Sequence, residues 1–205
     1  MSMQKLIPFL VILFLNSPGL LSAQQALTGK VISSQGEVAL LSASGQRSRP
    51  SRGQPISDSD VLETGSNGTL QIRFSSGLIV SLDCSSSLQL TPDTSAGSGA
   101  FNLTLQGGRL RLTSGDRNDV THNLITDAGM LIIDVAGTDL AVAANPASGS
   151  LAAVYNGSVR ARTNSGEMLL GVGGGFDFAA LEPGNAPTGL QSLPARFNRA
   201  SDCSL

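Results

Sequence analysis

Along most of this chain the apolar side chains recur at every second position in short runs. The runs are Val38 and Leu40; Leu70, Ile72 and Phe74; Leu78, Val80 and Leu82; Leu103 and Leu105; Leu110 and Leu112; Leu131, Ile133 and Val135; and Leu140 and Val142. A period of two sends alternate side chains to opposite faces of an extended backbone, so each run predicts a half-buried strand. The breaks between them, "SNG", "SSG", "QGG", "NPASG", "YNG" and "NSG", each hold a glycine able to supply the positive φ of a tight hairpin turn. Beyond the first 23 residues no stretch carries helical 3.6-residue spacing. The pattern predicts an all-β domain of about 10 to 14 strands.

The runs also repeat. Leu62 to Leu82 laid over Leu124 to Val142, with a one-residue gap at each turn, puts Leu62 on Leu124, Thr64 on Thr126 and Gly68 on Gly129. It then puts Leu70 on Leu131, Ile72 on Ile133, Phe74 on Val135, Gly77 on Gly137, Val80 on Leu140 and Leu82 on Val142. A second unit, read as a hairpin, recurs as "LTLQGGRLRL" (Leu103 to Leu112, with Gly108), "AAVYNGSVRA" (Ala152 to Ala161, with Gly157) and, more faintly, "VISSQGEVAL" (Val31 to Leu40). Hairpin and extended units in alternation predict sheets that face each other across one core, as a β-sandwich or a short β-roll. Within "VAGTD" (Val135 to Asp139), Gly137 takes the turn position that Gly77 holds in the first copy. Thr138 and Asp139 then open the next strand, where short polar side chains bond the local backbone. Thr64, Gly68, Gly77, Gly108, Thr126, Gly137, Thr138 and Gly157 are accordingly read as structural turn residues rather than reagents.

Length and composition place this pattern in a compartment. A chain of 205 residues suits one domain with a sizeable core. Residues 1–23 have the layout of a secretory signal: Lys5, the apolar run Leu6 to Leu15, a helix-breaking "NSPG", and small residues up to Ala23, after which cleavage is expected. The apolar run is too short to span a bilayer comfortably, so no membrane span is expected once the signal is removed. The expected organisation is a signal at 1–23, a β domain at 24–180, and a Pro-rich segment at 181–205. That last segment is either an extended arm laid over the sheet edges or a mobile tail. The localisation that follows is periplasmic or secreted.

Without the signal, 12 Lys and Arg face 15 Asp and Glu, and the 11 arginines are scattered. Nucleic acid is not an expected partner of such a surface. Cys84 and Cys203 are the two cysteines, and in an oxidising compartment they are candidates for a disulfide. The alternative is a small buried Cys84 and a free thiol at Cys203.

The order of these elements resembles the FecR-like domain family, named for the periplasmic portion of an iron-citrate signalling regulator. The resemblance rests on an acidic turn followed by Leu-x-Thr-Gly (Asp60 to Gly65), a Gly-bounded strand pair (Gly68 to Leu82), a strand leading to a Gly-Thr step (Ile125 to Thr138), and a closing apolar-x-Gly-x-Val element (Val154 to Val159). It covers most of Gly29 to Phe178. The chain departs from the regulators in two ways: it opens on a signal peptide where they carry a cytoplasmic segment and a membrane span, and Ala136 stands before the Gly-Thr step where the family often has Arg. The resemblance implies an exported, stand-alone β module whose partners are envelope or periplasmic proteins.

The search for chemistry points the same way. His122 is the one histidine and follows the polar stretch "SGDRNDVT", so it is read as a solvated loop residue. "GDRNDVTH" offers Asp116, Asn118, Asp119 and His122 as donors, but without the spacing of a calcium loop and with Arg117 among them. "GVGGGFDF" (Gly171 to Phe178) lacks the Lys and helix N-terminus of a phosphate cradle and reads as a turn or bulge with Phe176 and Phe178 on one face. No catalytic residue, metal site or cofactor is expected. Two functions remain: a non-enzymatic interaction, scaffold or signalling module, and a sensor that binds a small molecule between its sheets.

Overall fold

A computed structural model describes residues 29–92, 101–116, 121–194 and 197. The expected signal at 1–23, Cys203 and positions 117–120 of "GDRNDVTH" lie outside the described residues. Seventeen strands form among the described residues. The first part of the chain supplies β1 (Gly29–Gln35), β2 (Val38–Leu41), β3 (Arg47–Ser48), β4 (Pro55–Ile56), β5 (Val61–Thr64), β6 (Thr69–Phe74), β7 (Ile79–Leu82) and β8 (Ser86–Pro92). A long β9 (Phe101–Thr113) follows. The rest supplies β10 (His122–Thr126), β11 (Gly129–Ile133), β12 (Asp139–Asn145), β13 (Gly149–Asn156), β14 (Ser158–Thr163), β15 (Gly166–Gly171), β16 (Phe178–Leu181) and β17 (Thr188–Leu190). The count exceeds the expected 10 to 14 because β3, β4 and β17 are only two or three residues long, too short to show alternation.

The strands form two sheets that share β9. One runs β4-β1-β6-β7-β9-β12-β13-β16-β17. The other runs β3-β2-β5-β8-β9-β10-β11-β14-β15. β9 passes from the second sheet to the first at Gly107 and Gly108, where Gly108 has φ 89°. Its only parallel neighbour is β10. The repeat in the sequence is realised across this strand: Val80 and Leu140 both stand opposite Leu112, and Leu82 and Val142 both stand opposite Leu110, from either side.

The alternating apolar residues of both sheets meet in one inter-sheet core that includes Leu62, Ile72, Leu88, Leu103, Leu112, Leu124 and Leu140. Burying one such side chain stabilises by about 1.5–3 kcal/mol, which is what commits each strand to its register. A smaller cluster covers the outer face of the first sheet, where Ala141, Leu151 and Ala153 bury the ring of Phe197. No helix among the described residues is long and apolar enough to cross a membrane.

Three stretches read as hairpins are not hairpins. β1 and β2 do not pair with each other, nor do β13 and β14, and "LTLQGGRLRL" is the continuous β9. In each the central glycine, Gly36 (φ 64°), Gly108 (φ 89°) or Gly157 (φ 76°), carries the chain from one sheet to the other. The aligned extended units diverge in the same way: Gly77 turns β6 into β7 within one sheet, whereas Gly137 lies where the chain crosses from β11 to β12. Alternation reports which face of a strand is buried, not which sheet holds the next strand. Phe176 and Phe178 also part company, Phe176 packing on the inter-sheet core and Phe178 on the outer cluster.

Candidate functional site

The crossings collect at the two ends of the sandwich, and each end is built around a buried threonine. At the first end the chain crosses at Gly36, between Thr64 and Thr69, between Leu82 and Ser86, and at Gly107 and Gly108. Thr64 Oγ1 donates to the Asp83 carbonyl at 2.5 Å and accepts from the Ser86 amide at 3.0 Å. Ser86 Oγ in turn accepts from the Arg109 amide at 2.8 Å and donates to the Cys84 carbonyl at 3.0 Å. Backbones lie side by side here. A Cβ on Gly68 would collide with the Glu37 carbonyl, one on Gly36 with that of Asn67, and one on Gly108 with Ser86. Ser85, at φ 53°, takes a left-handed conformation that a residue with a Cβ tolerates only under strain.

At the second end the chain crosses between Ile56 and Val61, between Ile133 and Asp139, at Gly157, and between Gly171 and Phe178. Thr138, fully buried, donates from Oγ1 to the Val135 carbonyl at 2.8 Å, and its amide donates to Ser114 Oγ at 2.8 Å. A Cβ on Gly157 would lie 2.7 Å from Thr138 Oγ1. Gly137 has φ 70° but open space around it, with the Asn156 side-chain Nδ2 4.0 Å from where a Cβ would stand. Thr126 lies at the opposite end of β10, buried in the β10–β11 turn, where its hydroxyl accepts from the Ala128 amide at 3.3 Å. Gly77 has φ 87° in its hairpin turn.

What the two ends present to solvent differs. The first opens into a cleft of about 340 Å³ lined by Glu37, Arg47, Glu63, Ser87 and Gln106 together with the crossing backbone. Arg47 and Glu63 pair across it at 2.6 Å. The second end carries every exposed large hydrophobic among the described residues: Val135 (40% exposed), Tyr155 (53%), Leu169 (38%) and Val172 (74%). Contacts link the segments that carry three of them, Val135, Leu169 and Val172. Val135 caps the Thr138 hydroxyl, Gly157 packs on that hydroxyl, the Val172 amide donates to the Gly157 carbonyl at 2.9 Å, and a Cβ on Gly173 would touch Leu169. Charged pairs flank the four, Arg160 with Asp134 and Arg111 with Asp139, each at 2.5 Å. The Arg111 guanidinium also stands 5.2 Å from the Tyr155 ring centre. A recess of about 300 Å³ between Gly174 and Phe178, walled by Leu190 and Gln191, adjoins the same loop.

Two expectations about single residues change. Asp139 does not bond the local backbone; its carboxylate takes two hydrogen bonds from Arg111 on the adjacent β9, at 2.8 and 2.5 Å. His122 is not a solvated loop residue. It begins β10 with 4% of its surface exposed, and burial lowers its pKa to about 4, so the imidazole is neutral at physiological pH. The polar residues that precede it hid the fact that Leu124 and Thr126 share its inward face. Cys84 belongs to the first-end crossing beside Thr64, and no free cysteine occurs among the described residues.

Sequence reasoning passed over Tyr155, Val172, Arg109 and Arg111 as functional candidates. The alternation of "GRLRL" does announce Arg109 and Arg111 on the outer face of β9. Nothing in it shows that Arg109 is covered, at 8% exposure. Burial pushes the Asp83 carboxyl above its ordinary value, and the Arg109 charge beside it offsets part of that rise.

Residues 60–160 match the family model described as FecR protein. Among solved structures the chain is similar to a protein from Parabacteroides distasonis ATCC 8503, provisionally named an anti-sigma factor, with a TM-score of 0.50 and 14% identity. The similarity covers 61% of this chain and 56% of that one, so the chain spans little more than half the length of the structure it matches. At this identity the likeness concerns the fold. No curated protein matches the sequence.

Proposed function

We propose that this chain, whose residues 60–160 match the family model described as FecR protein, is a member of that family and an exported, non-enzymatic interaction module of the bacterial cell envelope that binds a protein partner with the second end of its sandwich. One observation carries the reading: all four exposed large hydrophobics of the described residues gather at that end, on loops and strand ends held by Thr138 and Gly157. Apolar side chains ringed by charged pairs are the composition of a protein contact, with an apolar centre and a polar rim. The family match and the resemblance to a structure named an anti-sigma factor favour a regulatory role over a purely structural one.

The apparent reagents have structural duties that agree with a non-enzymatic module. The Thr64, Thr138 and Ser86 hydroxyls bond backbone, and burial holds His122 neutral within a strand. A small-molecule sensor would need a polar cavity between the sheets. That space is filled by the apolar core, and the 340 Å³ cleft opens outside it.

Export and binding are tested together. The chain expressed in its native host is expected in the periplasmic or secreted fraction, migrating in a complex larger than the chain alone. The double substitution Tyr155→Ser with Val172→Ser is expected to migrate as the free chain at an unchanged melting temperature. A wild-type chain that stays in the cytoplasm or migrates alone, or a variant that keeps its complex, would refute the proposal.

A further inference from the structure

The outer face of the first sheet holds a trough with an occupant. Ala141 and Ala153 form a shallow floor, Leu151, Phe178, Leu190 and Leu193 the sides, and the Phe197 ring lies within it at 3% exposure. Arg109 stands beside the trough on β9. Its Nη1 and Nη2 both donate to the Phe197 carbonyl, at 2.7 and 2.6 Å, and its guanidinium carbon lies 5.0 Å from the centre of the same ring. Asp83 Oδ2, 3.5 Å from Nε, balances the charge. Removing a guanidinium from water is costly unless its partners repay it. Here they are one ring, one carbonyl and one carboxylate.

Two features of this contact set it apart from ordinary core packing. Arg109 reads a main-chain carbonyl, which every polypeptide has, while the alanine floor and the cation over the ring select an aromatic side chain. Among the described residues, moreover, Phe197 has no ladder bond to the sheet. Its amide donates to the Pro194 carbonyl at 2.8 Å in a local turn. The arm pairs with the sheet through β17, and beyond it Phe197 is held by its ring and by Arg109, as the anchor of a short peptide ligand is, and not by a ladder bond.

We propose that the Arg109 trough is a peptide-recognition site for an extended segment of a partner protein bearing a phenyl side chain, and that the chain's own arm fills it as a displaceable resident ligand. The trough shares Phe178 and Leu190 with the recess beside the second end, but Tyr155 and Val172 do not line it, so different substitutions test the two proposals. Because the arm is tethered, it competes at a high effective concentration. A partner segment gains the site when the arm is loosened or when it brings contacts of its own.

The test uses the full chain and a synthetic peptide with the sequence of residues 193–201, LPARFNRAS. By titration calorimetry, Phe197→Ala is expected to bind this peptide saturably, one to one and at least tenfold more tightly than the wild-type chain does. Adding Arg109→Met to Phe197→Ala is expected to weaken binding at least tenfold, and replacing the peptide's phenylalanine with alanine should abolish it. A folded Phe197→Ala chain that ignores the peptide, or binding that is indifferent to Arg109, overturns the proposal. Should Phe197→Ala fail to fold, Phe197→Leu keeps an apolar anchor and loses the ring: peptide binding tighter than to wild type supports the site, and equal binding refutes it.

Discussion

At the first end of the sandwich Thr64 ties together the backbones of neighbouring crossings, and at the second end Thr138 does the same, each beside a glycine with no room for a Cβ. Outward of these matching hubs the two ends part. Glu37, Arg47 and Glu63 line a polar cleft at one, while Val135, Tyr155, Leu169 and Val172 face solvent at the other. Buried hydroxyls and glycines are constrained by the close approach of main chains, so both ends must satisfy the same geometry. Solvent-facing positions carry no such constraint and are free to take up binding. The difference locates folding information in the hubs and contact information in the loops that the hubs support.

The largest effect is expected from inserting a side chain at a hub. Gly108→Val, which combines φ 89° with a collision against Ser86, is expected to destabilise by about 3 kcal/mol or more. Gly137→Val, with φ 70° but open space, should cost about 1–2 kcal/mol from backbone strain alone. Urea denaturation of both variants checks the order, and equal losses would show that crowding at the crossings is not what fixes them.

Among the described residues the cysteine, Cys84, lies at the first end. If Cys84 pairs with Cys203, reduction is expected to lower stability by about 2–4 kcal/mol, read as a fall in the urea midpoint. Non-reducing mass spectrometry that finds two free thiols in the exported protein would remove the bond from the description of that end.

His122 opens β10 at the second end. Its native pKa of about 4 lies below the 6.5 of the unfolded chain. The unfolded state therefore takes up a proton first as the pH falls. The contribution of the neutral imidazole is fully present above about pH 6.5 and is lost as the pH drops toward 4, by up to about 3 kcal/mol. Replacing His122 with Gln should flatten the stability profile across that window; a profile that stays steep would assign the pH dependence to other groups.

Smaller effects test whether the hubs are equivalent. Thr64→Val and Thr138→Val each strand buried backbone partners and should cost about 1–3 kcal/mol, within a factor of two of one another. Hydrogen exchange should then quicken at Ser86, whose amide loses its acceptor, in the first variant, and at no first-end amide in the second, where the lost hydroxyl donates to the Val135 and Ser158 carbonyls. Exchange that quickens at both ends in either variant would mean that the ends are coupled through the core rather than built separately.

Much of the architecture was legible in the alternation of the chain. The all-β class, the facing sheets and the equivalence of Val80 with Leu140 and of Leu82 with Val142 follow from a period of two and its repetition. The crossings were not legible, because Gly36, Gly108 and Gly157 with positive φ serve a hairpin and a change of sheet equally well in a local reading. The candidate surface was harder still. Tyr155 and Val172 are distant in sequence from Val135, and only the meeting of three crossings at Thr138 and Gly157 brings them to one end. His122 was misread for a related reason: its burial comes from the parallel pairing of β10 with β9, a long-range contact that its polar neighbours do not announce.

The contrast between the ends is tested most directly by placing a photo-crosslinking amino acid at Val172 in one full-length chain and at Gln106, on the first-end cleft, in another. Both are irradiated in living cells of the native host, and adducts are read by denaturing electrophoresis. The expected result is a discrete protein adduct from position 172, absent when Tyr155→Ser is added, and none from position 106. An adduct at 106 without one at 172 would place the contact at the polar end and contradict the assignment of binding to the apolar one.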